Sequence, residues 1–190
     1  MKISILCGGK SSRMQSEKGL VLYQNKAFIE HIIDAVLPIS RNIQLIANGN
    51  DYDYLKYNVV KDLIIDKGPI GGIYSALTQS ETELNLILSC DIPLISTEIV
   101  LELIANHNSN FDATLFEDAH RIHPLIGIYS KNCLPILKKA IDEDDLKMMH
   151  FLSKISLQKL NVDEPKSHLF KNINTIAELN ELNNNEYKIA

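Results

Sequence analysis

MKISILCGGKSSRMQSEKGL, residues Met1–Leu20, opens with a short apolar run that stops at Gly8 and Gly9, and the cations Arg13 and Lys18 follow closely. Apolar runs that end in glycines are typical of a buried strand. Adjacent glycines let backbone N–H groups approach an anion, and the two cations supply full positive charge. The stretch therefore predicts a strand with an anion-binding loop; the alternative is a plain Gly-Gly turn with solvent-exposed cations.

Outward from this stretch, apolar runs alternate with helical periodicities. Gly68-Pro69 is interpreted as the breaker before one of the predicted helices. The predicted strands are 3–7, 43–47, 59–60, 84–89, 113–116, 125–129 and 157–162, and the predicted helices are 27–36, 71–79, 97–107, 134–141, 146–153 and 176–182. This alternation predicts an α/β fold, a three-layer, mostly parallel twisted sheet with helices on both faces.

Length and composition exclude several classes of protein. A chain of 190 residues predicts one domain with a sizeable core. No apolar stretch approaches the ~18 residues of a membrane helix, and the N-terminus has no charged-then-apolar leader, so we expect a cytoplasmic protein without a membrane partner. The net charge of −5 argues against nucleic-acid binding. The three cysteines form no CxxC pair, so neither a disulfide framework nor a zinc site is expected.

Asp91 is a second candidate site residue, because it directly follows the apolar strand 84–89. Ligands of such sheets bind outside the carboxyl ends of the strands. Placing a carboxylate there is costly unless it meets a cation or hydrogen-bond donors. Mg²⁺ commonly takes one or two carboxylates together with substrate phosphates. Asp91 is therefore a candidate Mg²⁺ ligand, with a turn aspartate before Pro93 as the alternative.

The stretch 67–73, KGPIGGI, is a further glycine-containing turn, and Asp62 and Asp66 lie just before it. Paired with the first glycine loop, it would form the other wall of a nucleotide pocket. Two common phosphate-binding motifs are not matched. A Walker A loop requires a glycine five residues before Gly9, where Ser4 stands, and the dinucleotide pattern GxGxxG is broken.

Together these residues resemble the signature loop of nucleotidyltransferases that act on small phosphorylated acceptors, usually written LAGGxSxRMGxDK. Here the loop reads LCGGKSSRMQSEK. Among these enzymes the chain is most similar to the molybdenum cofactor guanylyltransferase family, which makes molybdopterin guanine dinucleotide. Four further segments carry the resemblance: GPIGG at 68–72, CDIP at 90–93, HP at 123–124 and FKNINT at 170–175. The glycine loop and CDIP are shared with sister nucleotidyltransferases, and the last segment points to the molybdopterin enzymes.

The resemblance implies the Rossmann-like nucleotidyltransferase fold in a single domain, 1–190. A nucleotide-binding half would cover about 1–95, an acceptor-binding half about 96–182, and residues 183–190 would be a frayed tail. The implied reaction transfers GMP from GTP to the phosphate of molybdopterin, releases pyrophosphate and uses Mg²⁺ as cofactor. Other proteins of molybdenum cofactor biosynthesis are further implied partners.

The resemblance also implies roles for individual residues. Asn48 would lie near the nucleobase or ribose, and His123-Pro124 would shape the substrate loop. No general base is assigned, because a phosphate nucleophile is already ionised at pH 7. The implied catalytic residues are Arg13, Lys18 and Asp91, the last also the Mg²⁺ ligand; the nucleotide-binding residues are Leu6, Cys7, Gly8, Gly9, Lys18, Asp62 and Asp91; and the acceptor-binding residues are Asn172 and Asn174.

Three positions depart from the family pattern. Cys7 replaces alanine, Glu17 replaces aspartate, and Gln15 stands where the family prefers glycine. If that position needs a positive φ, glutamine would cost roughly 1–2 kcal/mol. Two alternatives stay open. The first is a cytidylyltransferase acting on molybdopterin or a sugar-alcohol phosphate, which would share the loop and Asp91, and the second is a non-catalytic nucleotide-binding module in which Gln15 has ended turnover. The presence of both Lys18 and Asp91 argues against the second.

Overall fold

A computed structural model of the chain describes residues 1–8, 10–11, 16–119 and 121–184. Within these residues, seven strands form the main sheet, in the spatial order β3-β2-β1-β4-β6-β5-β7. Six strands of this sheet share one direction, and β6 is antiparallel to its neighbours β4 and β5. The strands are β1 Lys2–Leu6, β2 Ile43–Ile46, β3 Asn58–Val60, β4 Leu84–Ser89, β5 Ala113–Glu117, β6 Ile122–Ser130 and β7 Leu157–Asn161.

Helices connect the strands and cover both faces of the sheet. In the described part of the chain they are α1 Phe28–Val36, α2 Gly68–Thr78, α3 Thr97–Asn106, α4 Leu134–Asp142, α5 Met148–Leu152 and α6 Ile176–Asn184. Between β1 and α1 the chain also forms a short hairpin that pairs 22–23 with 26–27. Single 3₁₀ turns cover Lys18–Leu20, Asp53–Leu55 and Lys131–Cys133, and a longer 3₁₀ helix of seven residues covers Glu164–Phe170.

Side chains of the central strands alternate between the two faces of the sheet. Ile3 and Ile5 of β1 are buried with α1 and α3, whereas Leu6 is buried with α2, α4 and α5. In β4, Leu88 is buried on the face covered by α1 and α3, and Ile87 is buried on the opposite face. A strand buried on both faces needs consecutive apolar residues, which explains the continuous apolar runs of the sequence. The predicted fold, three layers around a mostly parallel sheet, is confirmed.

Some element bounds differ from the prediction. Helix α2 begins at Gly68 rather than at Gly71, because Pro69 is accommodated in the first turn, where no backbone N–H is required. Strand β6 starts at Ile122 rather than at residue 125, and its pairing register shifts around Pro124. Helix α6 ends at Asn184 rather than at residue 182, so residues 183 and 184 of the predicted tail are helical. Residues 185–190 lie outside the described residues.

The strand order reverses next to β1. The chain leaves β1 toward β2 and β3, then returns to pair β4 with the other side of β1. Two backbone hydrogen bonds keep the strand ends level: Cys7 N donates to Ile46 O at 2.9 Å, and Cys90 N donates to Leu6 O at 3.1 Å. The loops that follow these strands therefore open at one edge. None of the helices in the described ranges combines the length and hydropathy needed to cross a bilayer.

Candidate active site

A cavity of about 710 Å³ opens at the carboxyl ends of β1, β2 and β4. It stands at the reversal of strand order, where open α/β sheets bind their ligands. Its walls come from the loops after these three strands, from the loop between β3 and α2, and from the first turn of α2. The lining includes Leu6, Cys7, Gly8, Lys18, Asn48, Tyr52, Asp62, Asp66, Lys67, Gly68, Cys90 and Asp91.

Lys18 and Asp91 form an ion pair in this cavity. Lys18 Nζ lies 3.3 Å from Asp91 Oδ2 and also donates a hydrogen bond to Asn174 Oδ1. The other carboxylate oxygen, Asp91 Oδ1, accepts a hydrogen bond from Asn172 Nδ2 at 2.8 Å. The side chains of Lys18 and Asp91 are 21% and 10% exposed. Lys18 and Asn172 thus contact the two oxygens of one buried carboxylate, and Asn174 contacts the same Lys18 ammonium.

The segment 170–175 reaches this carboxylate because it is fixed at both ends. Ile173 N donates to the Asp91 carbonyl oxygen at 2.8 Å, and the Ile173 side chain is fully buried. Glu178 accepts from the backbone of Asn174 and Thr175, and its own N–H donates to Thr175 Oγ1 at 3.1 Å. This reciprocal arrangement is a capping box at the start of α6. The pKa of the Glu178 carboxyl lies below its ordinary value, chiefly because the backbone N–H of Asn174 donates a hydrogen bond to it.

A second set of contacts supports the same segment from β6. The ring of His123 lies 4.9 Å from that of Phe170, centroid to centroid, and donates through Nε2 to Asp118 Oδ2 at 2.8 Å. Burial lowers the pKa of His123, although the Asp118 carboxylate opposes this effect. His123 is therefore a packed, positioned residue, in line with the interpretation of His123-Pro124 as loop geometry.

Asp62 and Asn48 face each other at the end of β2. Asn48 Nδ2 donates to Asp62 Oδ2, and the Asp62 backbone N–H donates to Asn48 Oδ1, both at 3.0 Å. Asp62 Oδ1 is buried and has no hydrogen-bond partner within the described ranges. An unpaired buried carboxylate oxygen is costly, so this atom is suited to accept a hydrogen bond from a ligand.

The first turn of α2 forms the opposite wall. Gly68 has φ +54°, a left-handed conformation that favours glycine, and Pro69 follows it. Lys67 lines the cavity, and its Nζ donates to Asp144 Oδ1 at 2.7 Å. The structure therefore brings the KGPIGGI turn to the cavity, as predicted.

Cys7 occupies the position of the family's alanine as a small buried residue. Its side chain is 1% exposed, and burial, followed by the neighbouring Cys90, raises the pKa of the Cys7 thiol well above its ordinary value. A buried neutral thiol is chemically inert. The substitution thus preserves the packing of the loop without adding a reactive group.

Gly19 keeps Lys18 in place through a close approach to Tyr52. A Cβ atom at Gly19 would lie 2.6 Å from the Tyr52 hydroxyl oxygen and 3.0 Å from its Cε1. Tyr52 is 1% exposed and cannot move aside freely. No local spacing in the sequence predicted this contact, which joins the loop after β1 to the loop after β2.

We expect Gly19→Ala to destabilise the protein by about 1–3 kcal/mol, the usual cost of overpacking. The same clash displaces the adjacent Lys18, so the affinity for nucleoside triphosphate falls as well. Tyr52→Phe removes the nearest clashing atom and should restore part of both losses in the double variant. Chemical denaturation and triphosphate titration of the four proteins measure this; additive effects of the two substitutions would contradict the contact.

The predicted site residues can now be placed. Leu6, Cys7, Gly8, Lys18, Asp62 and Asp91 all line the cavity. Asn172 and Asn174, predicted for the acceptor, contact Asp91 and Lys18 directly. Gly9, Arg13 and Gln15 lie outside the described residues. The structure thus brings the described residues together, and their individual roles stay predictions.

Comparison with known proteins identifies the family of this chain. Residues 3–159 match the model described as the MobA-like NTP transferase domain. The chain belongs to the MobA-like NTP transferase family. A Flavobacterium johnsoniae relative with the name "Probable molybdenum cofactor guanylyltransferase" is 60% identical over 181 residues, which are 95% of either chain. A Carboxydothermus hydrogenoformans relative with the same name is 32% identical over 187 residues, 96% of this chain and 94% of the relative.

The solved structures agree on the fold. Molybdopterin-guanine dinucleotide biosynthesis protein A from Archaeoglobus fulgidus superposes with a TM-score of 0.82 at 22% identity, covering 97% of each chain. At this identity the likeness concerns the fold of the MobA-like family alone. The resemblance found in the sequence is confirmed by the family match and by the two close relatives.

The donor set of the MobA-like site fits a hard divalent cation. Asp91 Oδ2 and Asn174 Oδ1 both lie within hydrogen-bond reach of one ammonium group, so two oxygens already converge on a single cationic centre. Carboxylate and carboxamide oxygens are ligands that Mg²⁺ accepts, with substrate phosphates completing its shell. No group of three or more His, Cys, Asp or Glu side chains in the described residues is arranged to hold a metal ion, so such an ion would depend on the substrate for further ligands.

Proposed function

We propose that the protein transfers GMP from GTP to the phosphate of molybdopterin, releases pyrophosphate and forms molybdopterin guanine dinucleotide. The observation that carries the proposal is the half-buried cluster of Asp91, Lys18, Asn172 and Asn174 at the switch point of a MobA-like fold. Two relatives at 60% and 32% identity bear the guanylyltransferase name, which supports GTP as donor and molybdopterin as acceptor.

In this reaction an oxygen of the acceptor phosphate bonds to the α-phosphorus of GTP, and the bond from that phosphorus to the oxygen that bridges it to the β-phosphate breaks. The acceptor is an anion at neutral pH, so no side chain needs to remove a proton. The main difficulty is that two anions must meet. The protein's contribution is therefore positioning and charge neutralisation, as in other phosphoryl-transfer sites.

Lys18 and Arg13 are proposed as the catalytic cations along the triphosphate. The Lys18 ammonium lies in the cavity beside the end of β1 and makes charge-assisted contacts already in the free protein. Asp91 would hold Mg²⁺, which, when bound, neutralises phosphate charge. Asn172 Nδ2 holds Asp91 through Oδ1, which leaves Oδ2 beside the Lys18 ammonium.

The nucleoside half of GTP is assigned to the loops after β1 and β2. Backbone groups of Leu6, Cys7, Gly8 and Gly9 are proposed to contact it. Asp62 Oδ1, the buried oxygen without a partner in the described residues, would accept a hydrogen bond from the nucleotide. Asn48 orients that carboxylate through Oδ2.

The acceptor half is assigned to the opposite side of Asp91, with Asn172 and Asn174 as acceptor-binding residues. Both belong to the segment that is fixed at the start of α6. We also infer a cytoplasmic location and contact with other proteins of molybdenum cofactor biosynthesis, the setting in which the acceptor is made.

Ligand-dependent stabilisation tests the proposal. A ligand that binds only the native state raises its melting temperature. We expect GTP with Mg²⁺ to raise the Tm more than CTP, UTP, ATP or dTTP, and pyrophosphate to be released when molybdopterin is added. A shift with CTP alone would identify a cytidylyltransferase instead, and GTP binding without pyrophosphate release would indicate a non-catalytic module.

A further inference from the structure

A smaller cleft lies beside the main cavity, on the β6 side of β4. Its volume is about 110 Å³, and its lining includes Ile92, Arg121, Pro124, Leu125 and Asn172. Leu125 lines both cavities, so the two are adjacent. The volume corresponds to that of roughly three to four water molecules, enough for a small anionic group.

Arg121 is connected to the candidate catalytic carboxylate through one residue. Arg121 Nη2 donates to Asn172 Oδ1 at 3.3 Å, and Asn172 Nδ2 donates to Asp91 Oδ1 at 2.8 Å. Lys18 reaches the same carboxylate from its other oxygen, Oδ2. Asp91 therefore lies between two cationic side chains that approach it from different segments, Lys18 directly and Arg121 through an amide.

The backbone around Arg121 is held firmly. Arg121 N donates to Asp118 Oδ1 at 2.9 Å, and Asp118 N donates to the Arg121 carbonyl oxygen at 3.0 Å. Asp118 is in turn bonded to His123, which is buried against Phe170. The turn of Arg121 and the segment of Asn172 are thus fixed to each other at two points. Arg121 is exposed, and the hydrogen bond to Asn172 holds its guanidinium at the cleft.

Lys171 is adjacent to Asn172 in sequence but is directed away from the cleft. Its Nζ donates to Glu181 of α6 at 2.8 Å. Two basic residues line the smaller cleft, Arg121 and His123. Burial lowers the pKa of His123, so the guanidinium of Arg121 is the permanent positive charge of the cleft lining. A guanidinium also matches the geometry of phosphate oxygens, to which it can donate two parallel hydrogen bonds.

We propose that Arg121 binds the phosphomonoester of the acceptor and that the smaller cleft is the subsite of this phosphate. The inference rests on the proposed function and adds a substrate-binding residue to it. Lys18 then serves the triphosphate side of Asp91 and Arg121 serves the attacking phosphate. Asn172 connects the two sides, because one carboxamide contacts both Arg121 and Asp91.

Steady-state kinetics of Arg121→Gln and Arg121→Lys test the assignment. At saturating GTP and Mg²⁺, Arg121→Gln should raise the KM for molybdopterin roughly tenfold to a hundredfold, the weight of a lost hydrogen bond to a charged group. Arg121→Lys keeps the charge and should recover part of this loss. The KM for GTP should stay within about twofold in both, since a residue outside the triphosphate site leaves that affinity unchanged.

Arg41→Gln is the matched control, because Arg41 is exposed and lies before β2, away from the cleft. It removes the same charge and should behave as the wild type. A KM for molybdopterin in Arg121→Gln that stays within about twofold of wild type would overturn the proposal. A parallel loss of GTP and molybdopterin affinity would also overturn it, since Arg121 would then only support Asn172 and Asp91.

A second measurement does not depend on the identity of the acceptor. Inorganic phosphate is titrated into the full chain loaded with the α,β-methylene analogue of GTP, whose bridge cannot be cleaved. Phosphate should bind Arg121→Gln about tenfold more weakly than wild type or Arg41→Gln, and equal binding by all three would refute the subsite. Wild-type protein that binds phosphate in an Arg121-dependent way but makes no product from molybdopterin would contradict the proposed function alone.

Discussion

Asp91→Asn is expected to lower kcat/KM for GMP transfer by about a hundredfold to a thousandfold, the usual cost of removing one electrostatic contact at a reacting centre. The substitution keeps the shape of the side chain and removes its negative charge. Both oxygens of Asp91 accept contacts from donors, Oδ2 from Lys18 and Oδ1 from Asn172. A carboxamide offers one acceptor oxygen and one donor NH₂ group, so one of these two contacts becomes a donor–donor conflict.

The loss should be specific to the metal-dependent reaction. Pyrophosphate release is measured across a Mg²⁺ titration, and the Mg²⁺-dependent increase should disappear in Asp91→Asn. Asp34→Asn is the matched control, because Asp34 lies on the exposed side of α1 and pairs only with Lys26 among the contacts of the described residues. Transfer by Asp91→Asn within about fivefold of wild type, with the Tm preserved, would remove Asp91 from the catalytic residues.

The central sheet was predictable because its sequence signal is local. Strand β4, Leu84–Ser89, has the predicted bounds, since a strand buried on both faces needs an unbroken apolar run. The direction of β6 was not predictable in the same way. An apolar run with Pro124 inside it carries no sign of strand direction, and its antiparallel pairing follows from the connection that precedes it.

The start of α2 shows how a local rule can mislead. The pair Gly68-Pro69 predicts a break before the helix, but proline is favoured in the first turn of a helix and disrupts only its interior. Gly68, with φ +54°, provides the backbone turn into that helix. The consequence is functional, because the first turn of α2 forms a wall of the cavity together with the loop that precedes it.

The candidate site was predictable only in part. Asp91 follows a buried strand and Lys18 follows a glycine loop, so each could be found from its own neighbourhood. Their contacts with Asn172 and Asn174 join residues 81 and 156 positions apart in the chain. No spacing rule covers such distances, and only the family resemblance indicated those asparagines. The capping box Thr175–Glu178, by contrast, is a local signature that the sequence does display.

Lys18→Met is expected to change two affinities in opposite directions. Methionine keeps the length of the side chain and removes its charge, so the affinity for GTP should fall by roughly tenfold to a hundredfold, the weight of a charge-assisted contact with phosphate. In the free protein the Lys18 ammonium donates hydrogen bonds to Asp91 Oδ2 and Asn174 Oδ1, two oxygens that could also bind a divalent cation. Without that ammonium, a metal meets less repulsion at the same oxygens.

The affinity for Mn²⁺, used as a spectroscopic substitute for Mg²⁺ in the absence of nucleotide, should therefore rise in Lys18→Met. The increase should be at most about fivefold, because a partly exposed ion pair contributes at most about 1 kcal/mol. Lys139→Met is the matched control, because Lys139 is exposed on α4 and its Nζ lies 3.8 Å from Glu143. A variant that binds both GTP and Mn²⁺ more weakly would show that Lys18 supports the fold of the site, and one that binds GTP normally would exclude Lys18 from the triphosphate site. Opposite changes require that Lys18 and the metal share the oxygens of Asp91 and Asn174, which is the arrangement that the proposed transfer needs.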